Sequence, residues 1–172
     1  MKKLSILFVT WALTALTASA EWSPAGDRIR TPWADDVNPK NVLPEYPRPI
    51  MQRTDWLNLN GLWDYAVTKR GDVQPSAFDG QILVPFAIES SLSGVGRPLS
   101  EREELWYSRT FSVPASWKGK RVLLHFGAVD WAADVWVDGA RVGSHTGGYT
   151  PFTFDITAAL EGTKTHTLEV KV

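Results

Sequence analysis

The run ADVWVDGARV, residues 133–142, gives the strongest local structural signal in this 172-residue chain. Asp138 and Gly139 stand between Trp136-Val137 and Arg141-Val142, two short runs of residues that favour strands. Both central residues of a type I′ turn need a positive φ, which Asp and Gly tolerate. The run therefore predicts a tight antiparallel hairpin.

Short strands are predicted over most of the chain outside this hairpin. Runs rich in β-branched and aromatic residues, separated by Gly, Pro, Asp or Ser, occur at 62–68, 81–84, 105–113, 121–127, 133–137, 141–142 and 165–172. Helical periodicity is nowhere sustained, and we expect one short helical turn at 157–160 with Thr157 as its N-cap. Seven strands without helices predict an all-β antiparallel sandwich, most simply a jelly roll.

The last predicted strand stops in the middle of its alternating pattern. Leu168, Val170 and Val172 alternate with Glu169 and Lys171, and no turn residue or polar tail follows. Such an ending would leave a partner strand missing and an unpaired edge exposed, which natural sheets usually avoid. We therefore expect the sandwich to be truncated at its C-terminal strand.

The first 20 residues have the features of a secretory signal peptide. Lys2 and Lys3 precede an uncharged stretch over 4–16, and Ala18-Ser19-Ala20 provides the small residues that signal peptidase requires. The apolar stretch is shorter than the roughly 20 residues that span a bilayer. We expect cleavage after Ala20, a secreted or periplasmic protein, and no membrane attachment after cleavage.

Residues 21–53 are predicted to form an extended, Pro-rich leader ahead of a jelly-roll domain at 54–172. Six prolines occur between Pro24 and Pro49. Each removes a backbone donor and fixes φ, which excludes a regular helix or a central strand. Trp22, Trp33 and Tyr46 are costly to leave in water, so we expect them to pin the leader onto a surface.

The composition excludes several function classes. Eighteen Lys and Arg against nineteen Asp and Glu give a net charge of −1, which leaves no basic field for nucleic acid. The absence of cysteine excludes disulfides and thiolate sites. The three histidines are dispersed, and Gly94-Val95-Gly96 lacks the third glycine and the helix of a dinucleotide site. We therefore expect no metal and no cofactor.

Two segments pair an aromatic ring with polar groups, as a sugar site requires. Trp131 follows Asp130, and Tyr149 follows two glycines with His145 four residues before it. Aromatic faces suit the C–H groups of a pyranose, while polar neighbours suit its hydroxyls. The alternative is that the rings fill the core and the glycines only form turns.

Arg109 and Glu89 are two further candidates. Arg109 shares a strand face with apolar residues, and a buried guanidinium requires a carboxylate or several carbonyl oxygens to offset its desolvation. We favour a structural ion pair with Glu89, Asp130 or Asp134 over a ligand contact. Glu89 lies in a predicted long loop after a strand end, where binding groups often occur.

A family resemblance is carried by GAVDWAADVWVDGARVGSHTGGYTPFTFDIT, residues 127–157. This run closely resembles the N-terminal sugar-binding-type jelly roll, a galactose-binding-like fold, of glycoside hydrolase family 2. That family includes β-galactosidases, β-glucuronidases and β-mannosidases. LNGLW at 59–63, ILVPF at 82–86 with Glu89-Ser90, and WYSRTF at 106–111 match the same domain in the same order.

The resemblance implies a larger parent enzyme. In this family an immunoglobulin-like domain and a (β/α)8 barrel follow the jelly roll, and both catalytic glutamates belong to the barrel. The family reaction is retaining hydrolysis, which needs two carboxyl groups roughly 5 Å apart. We therefore expect no catalytic residue in this chain. The resemblance also implies that Glu89 approaches the active-site mouth.

Three hypotheses follow for the function. The first is that the chain is the non-catalytic N-terminal domain of a secreted family 2 enzyme that hydrolyses β-linked sugars. Its partners would then be the carbohydrate substrate and the downstream domains of the same polypeptide. The second is a free-standing, lectin-like carbohydrate-binding module. The third is a purely structural domain whose aromatic leader clamps a partner.

Overall fold

The computed structural model of the chain describes residues 21–27, 29–160 and 165–172. The predicted signal peptide lies outside the described residues. Within them, no helix is long and apolar enough to cross a membrane.

The described part of the chain is an all-β sandwich, as the sequence predicts. Its strands are β1 (Gly61–Lys69), β2 (Gly80–Val84), β3 (Glu103–Phe111), β4 (Leu123–Phe126), β5 (Ala132–Val137), β6 (Ala140–Thr146), β7 (Phe152–Asp155) and β8 (His166–Lys171). The helical elements described are short 3-10 turns at Pro32–Asp36, Pro49–Met51, Ser91–Ser93, Ala115–Trp117 and Thr157–Leu160.

The strands form two antiparallel sheets. The larger sheet has the order β2-β1-β3-β8-β5-β6, and the smaller sheet pairs β4 with β7. The register places Lys69 opposite Glu103, Trp106 opposite Lys171, and Lys171 opposite Asp134. Consequently β1, β6 and β8 end where β3 and β5 begin. We call this end of the larger sheet the exit end.

The core lies on the face of the larger sheet that the smaller sheet covers. Trp63, Ile82, Leu105, Val135 and Leu168 come from five neighbouring strands and are at most 5% exposed. They belong to one cluster with Leu124 of β4. Their alternation along each strand produces this face, because successive side chains of a strand point to opposite sides.

The hairpin between β5 and β6 has the predicted two-residue turn. Val137 pairs with Ala140, and φ is +49° at Asp138 and +77° at Gly139. The Asp138 carboxylate also accepts the Thr167 N–H at 2.7 Å and lies 2.7 Å from Nδ1 of His166. The Asp138 side chain therefore also links the turn to β8.

The expected exposed edge at the C-terminal strand is not found. β8 pairs with β3 on one side and with β5 on the other, and Val172 exchanges two backbone hydrogen bonds with Leu105. The prediction of a missing partner for this strand is therefore wrong. Alternation along a strand shows which residues are buried, but it does not reveal which strands lie beside it.

The leader lies against the sandwich. Ala25 N–H donates to Ser91 O at 2.8 Å, and the Ser91 hydroxyl donates to Ala25 O at 2.6 Å. A Cβ at Gly94 would lie only 2.9 Å from the Trp22 ring. Trp22 thus pins the leader to the domain as predicted, whereas Trp33 remains 72% exposed.

The turn at Thr157–Leu160 is stabilised differently from the sequence-based prediction. Thr157 is its first residue, and its hydroxyl accepts the N–H of Val122 at 2.9 Å rather than capping the turn. Asp155 Oδ1 instead receives the Thr157 N–H at 3.0 Å, and Arg121 Nε donates to Asp155 Oδ2 at 3.0 Å.

We expect Asp155→Asn to reduce the acid sensitivity of the fold. The hydrogen bonds from Thr157, followed by that from Arg121, lower the pKa of Asp155 to about 2. Because an unfolded Asp titrates near pH 3.9, the folded carboxylate stabilises the protein above about pH 4. This contribution is lost as the pH falls through about 2.

Urea unfolding of Asp155→Asn should therefore show a smaller loss of unfolding free energy between about pH 4 and pH 2 than the wild type. Asp27→Asn in the leader controls for the loss of one negative charge. Equal pH dependence in the wild type and Asp155→Asn would contradict this prediction.

Candidate functional site

The two loops that carry the candidate aromatic residues meet at the exit end. Asp130 and Trp131 precede β5, and Tyr149 follows β6. β5 and β6 are paired, with Ala132 opposite Thr146. The N–H of Gly147 donates to the Trp131 carbonyl oxygen at 2.9 Å, so the two loops are joined beyond the ends of the strands.

Both aromatic side chains are exposed at these loops. Trp131 is 66% exposed and Tyr149 is 95% exposed. The alternative that these rings fill the core is therefore wrong. The rings lie on loops at the end of a sandwich, a position from which side chains can reach a ligand.

Asp130 is packed closely against the second loop. A Cβ at Gly148 would overlap the Asp130 carboxyl group, so only glycine fits at this position without displacing that side chain. The peptide bond between Asp130 and Trp131 is cis. Asp130 is an exposed residue and directly precedes Trp131 in the chain.

His145 holds the second loop in place. Its Nε2 lies 3.0 Å from the Thr150 hydroxyl, and this contact spans the turn that contains Tyr149. Its ring stacks on Phe152 with a centroid distance of 4.3 Å and an interplanar angle of 16°. The structure therefore gives His145 a positioning contact at the base of the loop.

Glu89 is in a different place from the other candidates. The loop that contains it leaves β2 at the end of the sheet opposite the exit end, since Val84 pairs with Gly61. Glu89 lines a surface pocket of about 340 Å³ with Ile29 and Arg30 of the leader. Sequence alone does not give this separation, because it depends on strand order.

The loop after Glu89 is held by a buried serine. The Ser93 hydroxyl is fully buried, lies 2.7 Å from Ser90 O, and accepts the N–H of Val95 at 3.0 Å.

Glu89 also affects Tyr107 of β3. Burial raises the pKa of Tyr107 to about 12, and the negative charge of Glu89 makes a smaller contribution. The Tyr107 phenol is therefore neutral at physiological pH.

Arg109 binds carbonyl oxygens rather than a carboxylate. Its Nη1 donates to Leu59 O at 2.8 Å and to Asn60 O at 2.9 Å. Burial lowers the pKa of Arg109. No described carboxylate forms an ion pair with it, and Asp134 pairs with Arg141 at 2.6 Å instead. The prediction of an ion pair is therefore wrong, because two carbonyl oxygens accept the hydrogen bonds that a carboxylate would otherwise accept.

A glycine in the LNGLW motif makes room for this contact. Gly61 has φ +129°, and a Cβ there would lie 2.9 Å from Nη1 of Arg109. The glycine in this motif is the sequence signal that points to a nearby bulky group. The spacing of the sequence alone does not identify Arg109 on β3 as the group that Gly61 faces.

We expect Arg109→Met to lower the free energy of unfolding by about 1–2 kcal/mol, because two partly buried carbonyl oxygens lose their donor. Arg109→Lys keeps a single cationic donor and should lose less. The measurement is urea denaturation of the three proteins. Equal stability of Arg109→Met and the wild type would contradict the structural role.

The exit end also carries a charged depression that the sequence did not single out. A pocket of about 540 Å³ is lined by Lys69, Arg70, Glu101, Arg102 and Glu103. Glu103 pairs with Arg97 at 2.6 Å. No group of three or more potential metal ligands occurs in the part of the chain that the structure describes.

Residues 95–172 match the family described as glycosyl hydrolases family 2, sugar binding domain. A β-glucuronidase of Paenibacillus borealis is 31% identical over 118 residues, which cover 65% of this chain and 20% of that protein. A β-galactosidase of Thermoanaerobacter pseudethanolicus is 37% identical over 107 residues, which cover 60% of this chain and 14% of that protein.

The fold is also similar to part of a solved β-glucuronidase. The structure from Faecalibacterium prausnitzii aligns with a TM-score of 0.59 at 32% identity, over 74% of this chain and 22% of that chain. The chain thus spans about a fifth or less of the curated relatives described above. Glucuronidases and galactosidases both match, so the similarity does not select one sugar.

Proposed function

We propose that the chain, whose residues 95–172 match the sugar binding domain of glycosyl hydrolases family 2, is the non-catalytic N-terminal domain of a secreted β-glycosidase. The observation that carries the proposal is the combination of a domain match over residues 95–172 with relatives of which the aligned part covers only 20% and 14%.

The carboxylates of the two loops that carry Trp131 and Tyr149 support a non-catalytic role. Retaining glycosidases use two carboxyl groups about 5 Å apart, one as nucleophile and one as acid/base. The loops before β5 and after β6 contribute the single carboxylate of Asp130, while Glu89 lies on the loop that leaves the opposite end of the sheet. The catalytic pair is therefore proposed to come from a downstream barrel.

The role that we propose for this domain is to form one wall of a substrate-binding cleft. Backbone pairing fixes β5 and β6, and the contacts of His145 and Gly147 fix the loops beyond them. Such preorganisation lets a neighbouring domain meet a defined surface, because little conformational freedom remains to be lost on docking.

The proposal is tested by assay and by gene sequence. The purified chain should release no nitrophenol from nitrophenyl β-glucuronide or β-galactoside. The reading frame past Val172 should continue into an immunoglobulin-like domain and a barrel. Turnover by the chain that is lost on changing one of its own carboxylates would overturn the proposal, as would a stop codon directly after Val172.

Export is tested separately. The signal-like features of residues 1–20 support secretion or periplasmic location. Edman sequencing of the protein recovered from the medium or periplasm should begin at Glu21. Recovery of a cytoplasmic protein that still begins at Met1 would overturn this part of the proposal.

A further inference from the structure

We propose that Asn60 is a site of spontaneous deamidation, and that Arg109 protects it by holding the backbone on both sides of its Cα atom. The inference is independent of the proposed function, because it concerns a chemical change within this chain. The reaction requires water and no other partner.

The sequence places glycine after one asparagine only. Of the four asparagines, Asn38, Asn41, Asn58 and Asn60, only Asn60 has this neighbour. Asparagine is chemically labile because the backbone nitrogen of the next residue can attack its side-chain carbonyl carbon. A side chain on that next residue hinders the approach, and glycine has none. The pair Asn60-Gly61 is therefore the most reactive of the four.

The reaction at this pair consumes water and releases ammonia. A bond forms between the Gly61 nitrogen and Cγ of Asn60, while the bond from Cγ to Nδ2 breaks. Nδ2 leaves as ammonia and takes the hydrogen that the Gly61 nitrogen gives up, so a cyclic succinimide remains. Water then opens the ring at either carbonyl carbon. The products are aspartate and isoaspartate, and in isoaspartate the main chain passes through Cβ and Cγ.

The fold requires glycine at this labile position. Gly61 has φ +129°, and a Cβ there would lie 2.9 Å from Nη1 of Arg109 and 3.4 Å from the Pro39 carbonyl oxygen. A larger residue would therefore displace the guanidinium from the carbonyl oxygens that it binds. The missing Cβ admits Arg109, and it also leaves the Asn60 amide open to attack.

Arg109 opposes the rotation that the attack requires. Its Nη1 donates to Leu59 O at 2.8 Å and to Asn60 O at 2.9 Å, which are the peptide groups before and after the Asn60 Cα. Because a peptide group is planar, the Gly61 nitrogen and the Asn60 carbonyl oxygen turn together. Moving the nitrogen towards Cγ therefore moves that oxygen away from Nη1 and breaks the hydrogen bond.

A further hydrogen bond holds the same segment. The Asn60 N–H donates to Oδ1 of Asn58 at 2.8 Å. The Asn58 Nδ2 in turn donates to the carbonyl oxygens of Val42 and Leu43 in the leader, each at 3.1 Å. The backbone at Asn60 is thus held from β3 and from the leader, and Arg109 supplies the contact to the peptide that must turn.

The test follows deamidation of the purified chain by mass spectrometry at mildly alkaline pH. The tryptic peptide over 54–69 contains Asn58 and Asn60, and its fragment ions assign the mass gain to one of them. An isoaspartate methyltransferase assay confirms the product. We expect slow conversion at Asn60 in the folded wild type and roughly tenfold faster conversion in Arg109→Met, since one or two hydrogen bonds are lost. Arg109→Lys should be intermediate.

Two controls separate protection by Arg109 from general loosening of the fold. In guanidinium chloride the wild type and both Arg109 variants should convert Asn60 at one common, faster rate. Val137→Ala shortens a fully buried side chain on β5 and lowers stability without changing Arg109. In buffer it should convert Asn60 at the wild-type rate. Asn58, which precedes a leucine, should remain unchanged throughout.

Two sets of results would overturn the inference. The deamidation site is overturned if Asn60 keeps its amide in guanidinium chloride, or if Asn58 converts as fast. Protection by Arg109 is overturned if folded Arg109→Met converts at the wild-type rate, or if folded Val137→Ala converts as fast as Arg109→Met.

Discussion

Replacement of Trp63 by alanine is expected to lower the free energy of unfolding by about 3–5 kcal/mol. Trp63 is 5% exposed and belongs to the core cluster, its ring lies edge-on to Tyr107 with the ring centroids 6.4 Å apart, and its Nε1 donates to Leu59 O at 2.8 Å. The variant loses this packing and leaves a cavity. Domains are stable by only about 5–15 kcal/mol, so a large part of the stability is lost.

The measurement is urea denaturation followed by circular dichroism. Trp63→Phe fills most of the same space and loses the hydrogen bond to Leu59, so it should be less destabilised than Trp63→Ala. The exposed Trp33 provides the surface comparison, and Trp33→Ala should change stability by less than about 0.5 kcal/mol. Equal destabilisation by Trp33→Ala and Trp63→Ala would contradict the assignment of Trp63 to the core.

Replacement of Gly143 by valine is expected to cost about 3 kcal/mol. A Cβ at Gly143 would overlap three ring carbons of Phe154, a β7 residue, so the β6 backbone and the Phe154 ring cannot both keep their positions. Rigid overlap in a packed interior forces backbone shifts, and here it would separate β6 from the smaller sheet.

A double substitution tests whether overlap with the Phe154 ring causes the loss of stability in Gly143→Val. Gly143→Val combined with Phe154→Ala should be more stable than the sum of the two single changes predicts, because the added methyl groups occupy space that the ring vacates. The matched control is Gly139→Ala, in the hairpin turn, where a Cβ meets nothing within 4 Å and only the positive φ is strained. Strict additivity at Gly143 and Phe154 would contradict the steric explanation.

The sequence predicts correctly those features that depend on neighbouring residues, and it misses contacts between residues that are far apart in the chain. The Asp138-Gly139 turn was predictable because its φ requirements are set within two residues. Arg109 was correctly placed beside apolar neighbours, but its partners are carbonyl oxygens about fifty positions away in the chain. A guanidinium is satisfied by either class of acceptor, so composition could not choose between them.

The candidate sugar-contact residues divide in the same way. Trp131 and Tyr149 were recognised as rings beside polar groups, but their exposure depends on strand order and on the contacts that hold the loops. Glu89 follows a strand end, which favours a binding role in the sequence, but that strand ends at the opposite side of the sheet from the Trp131 and Tyr149 loops.

Periodicity, turn chemistry and motif order are local properties of the chain, so the all-β class, the position of the hairpin and the resemblance to glycoside hydrolase family 2 can be predicted without a structure. The tertiary structure decided that β8 lies in the middle of a sheet, that Arg109 binds carbonyl oxygens, and that Trp131 and Tyr149 face solvent together. Each of these depends on which distant segments become neighbours, and that is set by the packing of two sheets around one core.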